Sequence, residues 1–95
     1  MEVLLIYDVT NHKNEVKTEL KKLGFKDFWY LQETILNFPD NILSTTASNT
    51  NGPIQDLKGI VEVLNESNAW NIEIVRCISV EYGAWSAVQG SPLPS

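Results

Sequence analysis

The side chains of this chain with the clearest chemical character are its lysines, because they are concentrated in one short segment. Five of the seven lysine and arginine residues fall between positions 13 and 26: Lys13, Lys17, Lys21, Lys22 and Lys26. The first three are spaced by four residues, which places them in one column along a helix. This lysine column, with Lys22 beside it, is a candidate contact surface for nucleic-acid phosphates or for an acidic partner. The alternative is a solvated helix face whose repulsion is relieved by Glu15 and Glu19.

Other side chains that commonly carry catalysis lack the partners that such chemistry needs. His12 is the only histidine, so there is no histidine pair for a zinc site. Ser44, Thr45 and Thr46 have no neighbouring histidine, and no nucleophile–base pair is visible. The five glycines are isolated, so the chain has no glycine-rich phosphate loop. Asp8 remains, at the exit of an apolar segment, where a carboxylate often only accepts hydrogen bonds from the following turn.

The composition describes an acidic chain with one cysteine. The net charge is −5, and the lysine-rich segment, with five lysines against two glutamates, is +3, so the remainder carries −8. An acidic surface repels phosphate at long range, which disfavours nucleic acid as a partner. Cys77 has no internal partner and has apolar neighbours, which predicts a buried thiol in a reducing compartment. No apolar run approaches the ~18 residues that a membrane span needs, so we expect a cytoplasmic protein without a membrane partner.

Hydrophobic periodicity predicts six elements in the order strand, helix, strand, strand, helix, strand. The predicted strands cover residues 3–9, 25–36, 42–46 and 71–80, and the predicted helices cover residues 12–23 and 53–64. This order fits an α+β fold, the ferredoxin-like βαββαβ sandwich, with a four-stranded antiparallel sheet and two helices on one face. We therefore expect a single domain over residues 1–88 and a frayed C-terminal tail over residues 89–95.

Local signals predict how these elements begin, end and connect. Thr10 or Asn11 is expected to cap the first helix, and Gly24 is expected to end it in the left-handed conformation. A turn at residues 37–41 is expected to pair the two middle strands as one hairpin. The polar run at residues 44–52 has little apolar surface, which predicts either a mobile loop or a loop that contacts a ligand.

The first and last strands carry apolar residues on both of their faces, which is typical of strands that are covered on two sides. Two helices can cover only one face of the sheet, and an uncovered apolar face usually marks an interface. We therefore predict a homodimer in which the open sheet faces pack together, with Leu4, Ile6 and Trp85 at the interface. The alternative is that the C-terminal segment folds back over its own sheet.

Three stretches of the chain resemble a known family: the strand that closes on Tyr7 and Asp8, the helix that ends at Leu23 and Gly24, and the segment at residues 29–35. They are similar in layout to the small CRISPR-associated adaptation subunit and to its VapD-type and SinR-like relatives. The closing residues Ala84 and Trp85 are similar to the ends of SinR-like members. Proteins of this family are dimers that pack sheet to sheet, so the resemblance implies the same assembly.

The resemblance also implies a role for Asp8. In that family the aspartate that ends the first strand lies near the dimer axis, where two carboxylates share Mg²⁺ or Mn²⁺ for phosphodiester hydrolysis. This chain departs from the pattern, because residues 9–12 lack the expected basic residue and Glu33 adds a carboxylate that disfavours bound nucleic acid. The function expected is a dimeric, non-catalytic interaction or structural module. The alternative is a metal-dependent endonuclease that acts on RNA or DNA with Asp8 from each subunit.

Overall fold

Two helices and five strands make up the part of the chain that the structure describes. The structure, a computed structural model, describes residues 1–31 and 34–81, without the side chains of residues 30 and 31. Its elements are β1 (Glu2–Val9), α1 (Lys13–Lys22), β2 (Phe28–Leu31), β3 (Thr34–Asn37), β4 (Ile42–Thr46), α2 (Asn51–Asn68) and β5 (Ile74–Glu81). The predicted α+β fold with antiparallel sheets is confirmed. The predicted tail at residues 89–95 lies outside the described residues.

β1 is the central strand of an antiparallel sheet with the order β4–β1–β5. Leu4, for example, lies opposite Ser44 of β4 on one edge and opposite Val80 of β5 on the other. A strand in this position is paired along both edges, and a run of apolar residues on both of its faces is typical of it. The N-terminal apolar segment is therefore the central strand of this sheet.

Both helices pack on one face of β1. The residues of β1 alternate between buried and less buried positions, and side chains two residues apart share one face of a strand. The buried side chains on the helix side are Val3, Leu5, Tyr7 and Val9 of β1, Val16 and Leu20 of α1, and Leu57 and Val61 of α2. Since the core residues of α1 and α2 meet the same residues of β1, neither of these two helices lies over the opposite face of the sheet.

The middle of the chain differs from the prediction. Residues 25–36 do not form one strand, because β2 and β3 pair with each other as a separate antiparallel hairpin, with Phe28 opposite Asn37. The rings of Trp29 and Phe38 meet edge to face at the base of this hairpin, with centroids 5.1 Å apart. The aromatic and β-branched composition that predicted one long strand fits two short strands equally well. The contact between Trp29 and Phe38 stabilises the hairpin without help from the three-stranded sheet.

The prediction of a four-stranded sheet is therefore corrected to a three-stranded sheet, β4–β1–β5, and a two-stranded sheet, β2–β3. On the outer edge of β4 the chain contributes a single bridge, between Lys26 and Ser44. In this bridge each backbone amide donates to the carbonyl of the other residue at 2.8 Å. One residue pair thus occupies the position that a fourth strand would have beside β4. After this bridge, at Asp27, the chain leaves the edge of β4 and continues into the β2–β3 hairpin.

Residues with left-handed backbone conformations flank α1. His12 is the N-cap residue, with φ 54° and ψ 40°, and no side chain caps this end of the helix, so the expected cap at Thr10 or Asn11 is wrong. Thr10 instead binds the segment before β5, since its amide donates to the carbonyl of Glu73 and its Oγ1 accepts from the amide of Glu73, both at 3.0 Å. Gly24 has a φ of 102°, which confirms the predicted left-handed residue after the helix.

The polar stretch at residues 44–52 belongs largely to regular structure, so the prediction of a loop over its whole length is wrong. Residues 44–46 form the end of β4, and α2 begins at Asn51. The side-chain oxygen of Asn49 accepts a hydrogen bond from the amide of Gly52 at 2.8 Å. A side chain before the helix therefore satisfies one of the free amides of its first turn.

The side chain of Asn65 fixes the connection between α2 and β5. Its amide nitrogen donates to the carbonyl of Ile72 at 3.0 Å, and its oxygen accepts from the amide of Ile72 at 2.8 Å. We expect Asn65→Ala to lower the free energy of unfolding by about 1–3 kcal/mol, because two partly buried backbone groups lose their partner. Chemical denaturation measures this loss. Asn68→Ala is the matched control, since the exposed Asn68 makes one hydrogen bond, to Leu64; an equal loss for both variants would contradict this role of Asn65.

Candidate functional site

The lysine column of α1 is paired with carboxylates, most of which lie outside the helix. The ion pairs and their N–O distances are Lys13–Asp8 at 3.5 Å, Lys17–Asp27 at 3.7 Å, Lys17–Asp40 at 3.6 Å, Lys21–Asp27 at 3.2 Å and Lys22–Glu19 at 3.0 Å. Of the two glutamates expected to relieve the column, Glu19 pairs with Lys22 and Glu15 lies beside His12. Aspartates from β1 and from two loops therefore reduce the positive potential that the sequence alone indicates.

Asp27 offers a test of this pairing through its titration. The hydrogen bond from Lys21 Nζ, 3.2 Å long, lowers the pKa of the Asp27 carboxyl, and the charge of Lys17 acts in the same direction. A carboxyl whose pKa is lowered by folding stabilises the fold above its unfolded pKa, and this contribution is lost as the pH falls through the folded pKa. We expect Lys21→Met to raise the pKa of Asp27 toward its ordinary value and to flatten the acid end of the stability profile.

Carboxyl chemical shifts recorded against pH by NMR measure the pKa of Asp27 directly. Lys22→Met is the matched control, because Lys22 contacts Glu19 and not Asp27. An unchanged Asp27 titration in Lys21→Met would show that this ion pair does not persist in solution.

A cavity of roughly 470 Å³ lies between the end of β1, the first turns of α1 and the turn that follows β3. Its lining residues include Tyr7, Asp8, His12, Lys13, Lys17 and Asp40. The cavity therefore brings together Asp8 and two lysines of the column, which the sequence had singled out separately. It excludes Lys21 and Lys22, whose partners Asp27 and Glu19 are not part of its lining.

Tyr7 is the most buried polar side chain of this cavity. Only 3% of Tyr7 is exposed, and burial together with the negative charge of Asp40 raises the pKa of its hydroxyl to about 12. The hydroxyl is therefore protonated at neutral pH and is able to donate a hydrogen bond. Among the described residues no hydrogen bond to this hydroxyl is formed. In the sequence Tyr7 belongs to an apolar strand, and no local pattern indicates that it also lines a cavity.

The imidazole of His12 forms part of the wall of the cavity and is held by Trp70. The two rings stack with centroids 3.6 Å apart and an interplanar angle of 6°. Trp70 is itself held by a hydrogen bond from its amide to the carbonyl of Asn65 at 3.2 Å. The stack explains how a non-glycine residue keeps a left-handed backbone, since the ring contact offsets the strain. His12 and Trp70 lie 58 positions apart in the sequence, which gives no signal of this contact.

Asp8 does not have the surroundings of a metal ligand within one copy of the chain. Its carboxylate lies 3.5 Å from Lys13 Nζ, and Arg76 is its cross-strand neighbour in β5, so two positive charges are close to it. Within residues 1–31 and 34–81, no group of three or more His, Cys, Asp or Glu side chains is arranged to hold a metal ion. The described residues of one copy therefore do not assemble such a group around Asp8.

The face of the three-stranded sheet opposite α1 and α2 is apolar and partly exposed. Leu4 and Ile6 of β1 lie opposite Val80 and Ile78 of β5, so these four residues share one face, which we call the open sheet face. Ile78 is 51% exposed and Val80 is 42% exposed, while Leu4 and Ile6 are half-buried. The apolar surface that the sequence predicted on this face is present. Trp85, the third predicted interface residue, lies outside the described residues.

Opposite charges lie at one end of the open sheet face. Asp8 follows Leu4 and Ile6 on the same side of β1, and its side chain is 40% exposed. Arg76 lies opposite it on β5, is exposed, and forms no ion pair with any described residue. Arg76 therefore lies at one end of the open sheet face, where it is exposed, and it is not part of the core.

The fold and its surfaces define the class of protein as a small α+β domain with two helices and antiparallel sheets. Comparisons with protein-family models, with curated proteins and with solved structures find no match to this chain. Neither helix of the described part combines the length and the apolar character needed to cross a membrane. The resemblance to CRISPR-associated and SinR-like proteins stays a prediction, as does the cytoplasmic location, and the function is argued from the surfaces described above.

Proposed function

We propose that the protein is a homodimeric interaction module in which the open sheet faces of two copies pack together. The observation that carries the proposal is the exposure of Ile78 and Val80 beside Leu4 and Ile6, on the face of the sheet opposite α1 and α2. Burying such side chains against a second copy is favourable, at about 25 cal/mol for each Å² of apolar surface removed from water. Most oligomers of this kind are two-fold symmetric, so one self-complementary face is sufficient.

The charges beside the open sheet face support a second copy of the chain as the occupant. A two-fold interface places each residue of the face against residues of the same face in the other copy. A face that carries both Asp8 and Arg76 has one negative and one positive group to offer, so the two copies complement each other in charge. Arg76, which has no ionic partner among the described residues, gains a carboxylate in this arrangement.

The topology supports placing the module within the ferredoxin-like class. The strand order β4–β1–β5, the helix that joins β1 to the middle segment and the helix that joins β4 to β5 follow the split βαβ arrangement. The bridge between Lys26 and Ser44 occupies the edge where the fourth strand of that class pairs. The proposal is thus a ferredoxin-like domain with a reduced edge strand, in which the residues after the bridge form the β2–β3 hairpin.

The mass in solution tests the proposed dimer. Sedimentation equilibrium or light scattering after size exclusion is expected to give twice the 10.7 kDa of one chain at micromolar concentration. The apparent mass is also expected to fall on dilution, as for a reversible association. A mass of one chain at all concentrations, with the open sheet face accessible to solvent, would contradict the proposal.

The second candidate function is metal-dependent cleavage of RNA or DNA, with Asp8 supplied by both copies. The observation that favours it is the position of Asp8, which lies at the end of β1 on the same side as Leu4 and Ile6. A dimer whose two-fold axis passes close to this end of β1 would bring the two carboxylates toward each other. Titration with Mg²⁺ or Mn²⁺ tests the idea: binding that Asp8→Asn abolishes and Asp56→Asn preserves supports it. Absence of binding, or binding that both variants retain, removes it.

A further inference from the structure

We propose that Asn51 is a site of non-enzymatic deamidation and that the side chain of Asn49 restrains this reaction. Asn51 is the only one of the nine asparagines in the chain that is followed by glycine. A glycine in this position has no Cβ to hinder the approach of its backbone nitrogen to the asparagine side chain. The site lies at the start of α2 and not on the open sheet face, so the inference goes beyond the proposed dimer.

The reaction needs only water as a co-reactant. The backbone nitrogen of Gly52 loses its proton to water or hydroxide and attacks Cγ of Asn51, so that a bond forms between these two atoms. The bond from Cγ to Nδ2 breaks, ammonia leaves, and a cyclic succinimide remains. Water then opens one of the two carbonyl groups of this ring, which gives aspartate or isoaspartate at position 51. The net result is an exchange of ammonia for water, without an oxidant or a reductant.

Asn51 lies at a point of the fold where this ring closure is accessible. It is the first residue of α2, and it is exposed. The amide of Gly52 belongs to the same first turn, where the amides of a helix have no partner within the helix. The ends of helices also open at little cost in free energy, so water reaches this amide without unfolding of the core.

The side chain of Asn49 holds the nitrogen that attacks. Its oxygen accepts a hydrogen bond from the amide of Gly52 at 2.8 Å. Ring closure requires rotation about the Cα–C bond of Asn51 and removal of the amide proton of Gly52, and each of these steps breaks the hydrogen bond. Because the hydrogen bond is exposed, it contributes only modestly to stability and opens readily. The contact therefore slows deamidation without preventing it.

The two products differ in how they fit the start of α2. The first turn of this helix contains no acidic residue, and the side chain of its N-cap residue, Thr50, forms no capping hydrogen bond. A carboxylate is favourable beside the free amides of a helix start, so an aspartate at position 51 is compatible with the fold. Isoaspartate instead lengthens the main chain by a methylene group just before the fully buried Pro53, which displaces the start of the helix.

Peptide mass spectrometry of the folded full chain, incubated at neutral and at mildly alkaline pH, measures the rate of deamidation. We expect Asn51 to react faster than the other asparagines, and the rate to rise with pH because the attacking amide must lose its proton. Asn49→Ala is expected to accelerate the reaction about two- to tenfold, the factor that corresponds to the loss of one exposed hydrogen bond. Asn68→Ala is the matched control and is expected to leave the rate unchanged, since Asn68 is also exposed but bonds to Leu64 near the other end of α2.

Denaturation in urea separates the effect of the fold from that of the local sequence. The hydrogen bond between Gly52 and Asn49 is lost in the unfolded chain, so the parent chain and Asn49→Ala are expected to react there at the same rate. Equal rates for folded Asn49→Ala and Asn68→Ala, a difference between Asn49→Ala and the parent that persists in urea, or faster conversion at another asparagine of the folded chain would each overturn the proposal. A monomeric mass in solution would leave it standing, so its failure is distinguishable from failure of the dimer.

Discussion

Replacing Ile78 with glutamate is expected to convert the dimer into a monomer. Ile78 lies on the open sheet face, and half of its surface is exposed in one copy of the chain. A two-fold interface places two such glutamates close together and takes their charges out of water, which is costly without a partner. We expect the dissociation constant to rise roughly 100-fold or more, which size-exclusion chromatography with light scattering measures as the mass of one chain. The fold itself is expected to remain, since the side chain is not needed by the core.

Val63→Glu is the matched control for this experiment. Val63 is 58% exposed and lies on α2, next to a shallow groove between the two helices that also contains Leu23. The substitution makes the same change of charge as Ile78→Glu at a residue of similar exposure. Val63, however, lies in the helix layer and not on the open sheet face. The dimer is expected to persist in Val63→Glu. Dissociation of Val63→Glu with retention of the Ile78→Glu dimer would place the interface on the helices and contradict the proposed function.

Replacing Leu20 with alanine is expected to have the largest effect on stability. Leu20 is fully buried and lies in the core where α1 meets β1 and α2. The loss of its side chain removes apolar burial and leaves a cavity, which together cost about 2–5 kcal/mol of unfolding free energy. For a chain of this size, each kcal/mol lowers Tm by about 4–8 °C. Urea denaturation and thermal melting monitored by circular dichroism measure both quantities.

Leu23→Ala is the control, because it is the same substitution three residues further along the chain. Leu23 follows Leu20 at a spacing of three residues, which fits one buried stripe of a helix, but α1 ends at Lys22 and Leu23 is 57% exposed. We expect Leu23→Ala to change the unfolding free energy by about 0.5 kcal/mol or less. Equal losses in the two variants would mean that Leu23 is buried in solution, and would point to an interface on the helix layer.

The sequence predicts the position of the apolar elements of this fold well, but it does not predict that most residues of β5 are exposed within one copy of the chain. The runs around Leu5 and around Ile78 are apolar on both faces, and they form the central strand β1 and its neighbour β5. The stripe through Leu57 and Val61 likewise forms the core side of α2. In each case the apolar pattern extends over at least two helical turns or over a full strand. One secondary structure, helix or strand, therefore fits the pattern better than the other.

The middle of the chain was predicted less well for a physical reason. The same β-forming residues are compatible with one long strand or with two short ones. Which of the two forms depends on whether the segment pairs with β4 along its length or pairs with itself. Tertiary contacts decide this, such as the edge-to-face packing of Trp29 and Phe38 and the bridge from Lys26 to Ser44. Neither contact has a signature in local composition.

The candidate site was predicted only in part. Asp8, Lys13 and Lys17 were identified by charge and spacing, and the fold brings all three to one cavity. Tyr7 and Asp40 complete the lining, but they come from a core strand and a turn, where their residue types are ordinary. A site assembled from three separate segments is defined by the fold, so the sequence indicates its charged members and not their arrangement.

Contacts between two copies across the open sheet face are the most direct test of the account. In a dimer formed from one ¹³C-labelled and one unlabelled chain, isotope-filtered nuclear Overhauser spectra report only distances between copies. We predict cross-peaks from the methyl groups of Leu4, Ile6, Ile78 and Val80 to protons of the unlabelled chain. Cross-peaks that arise instead from Leu23 and Val63, or none at all in a sample with the mass of two chains, would contradict the proposed interface.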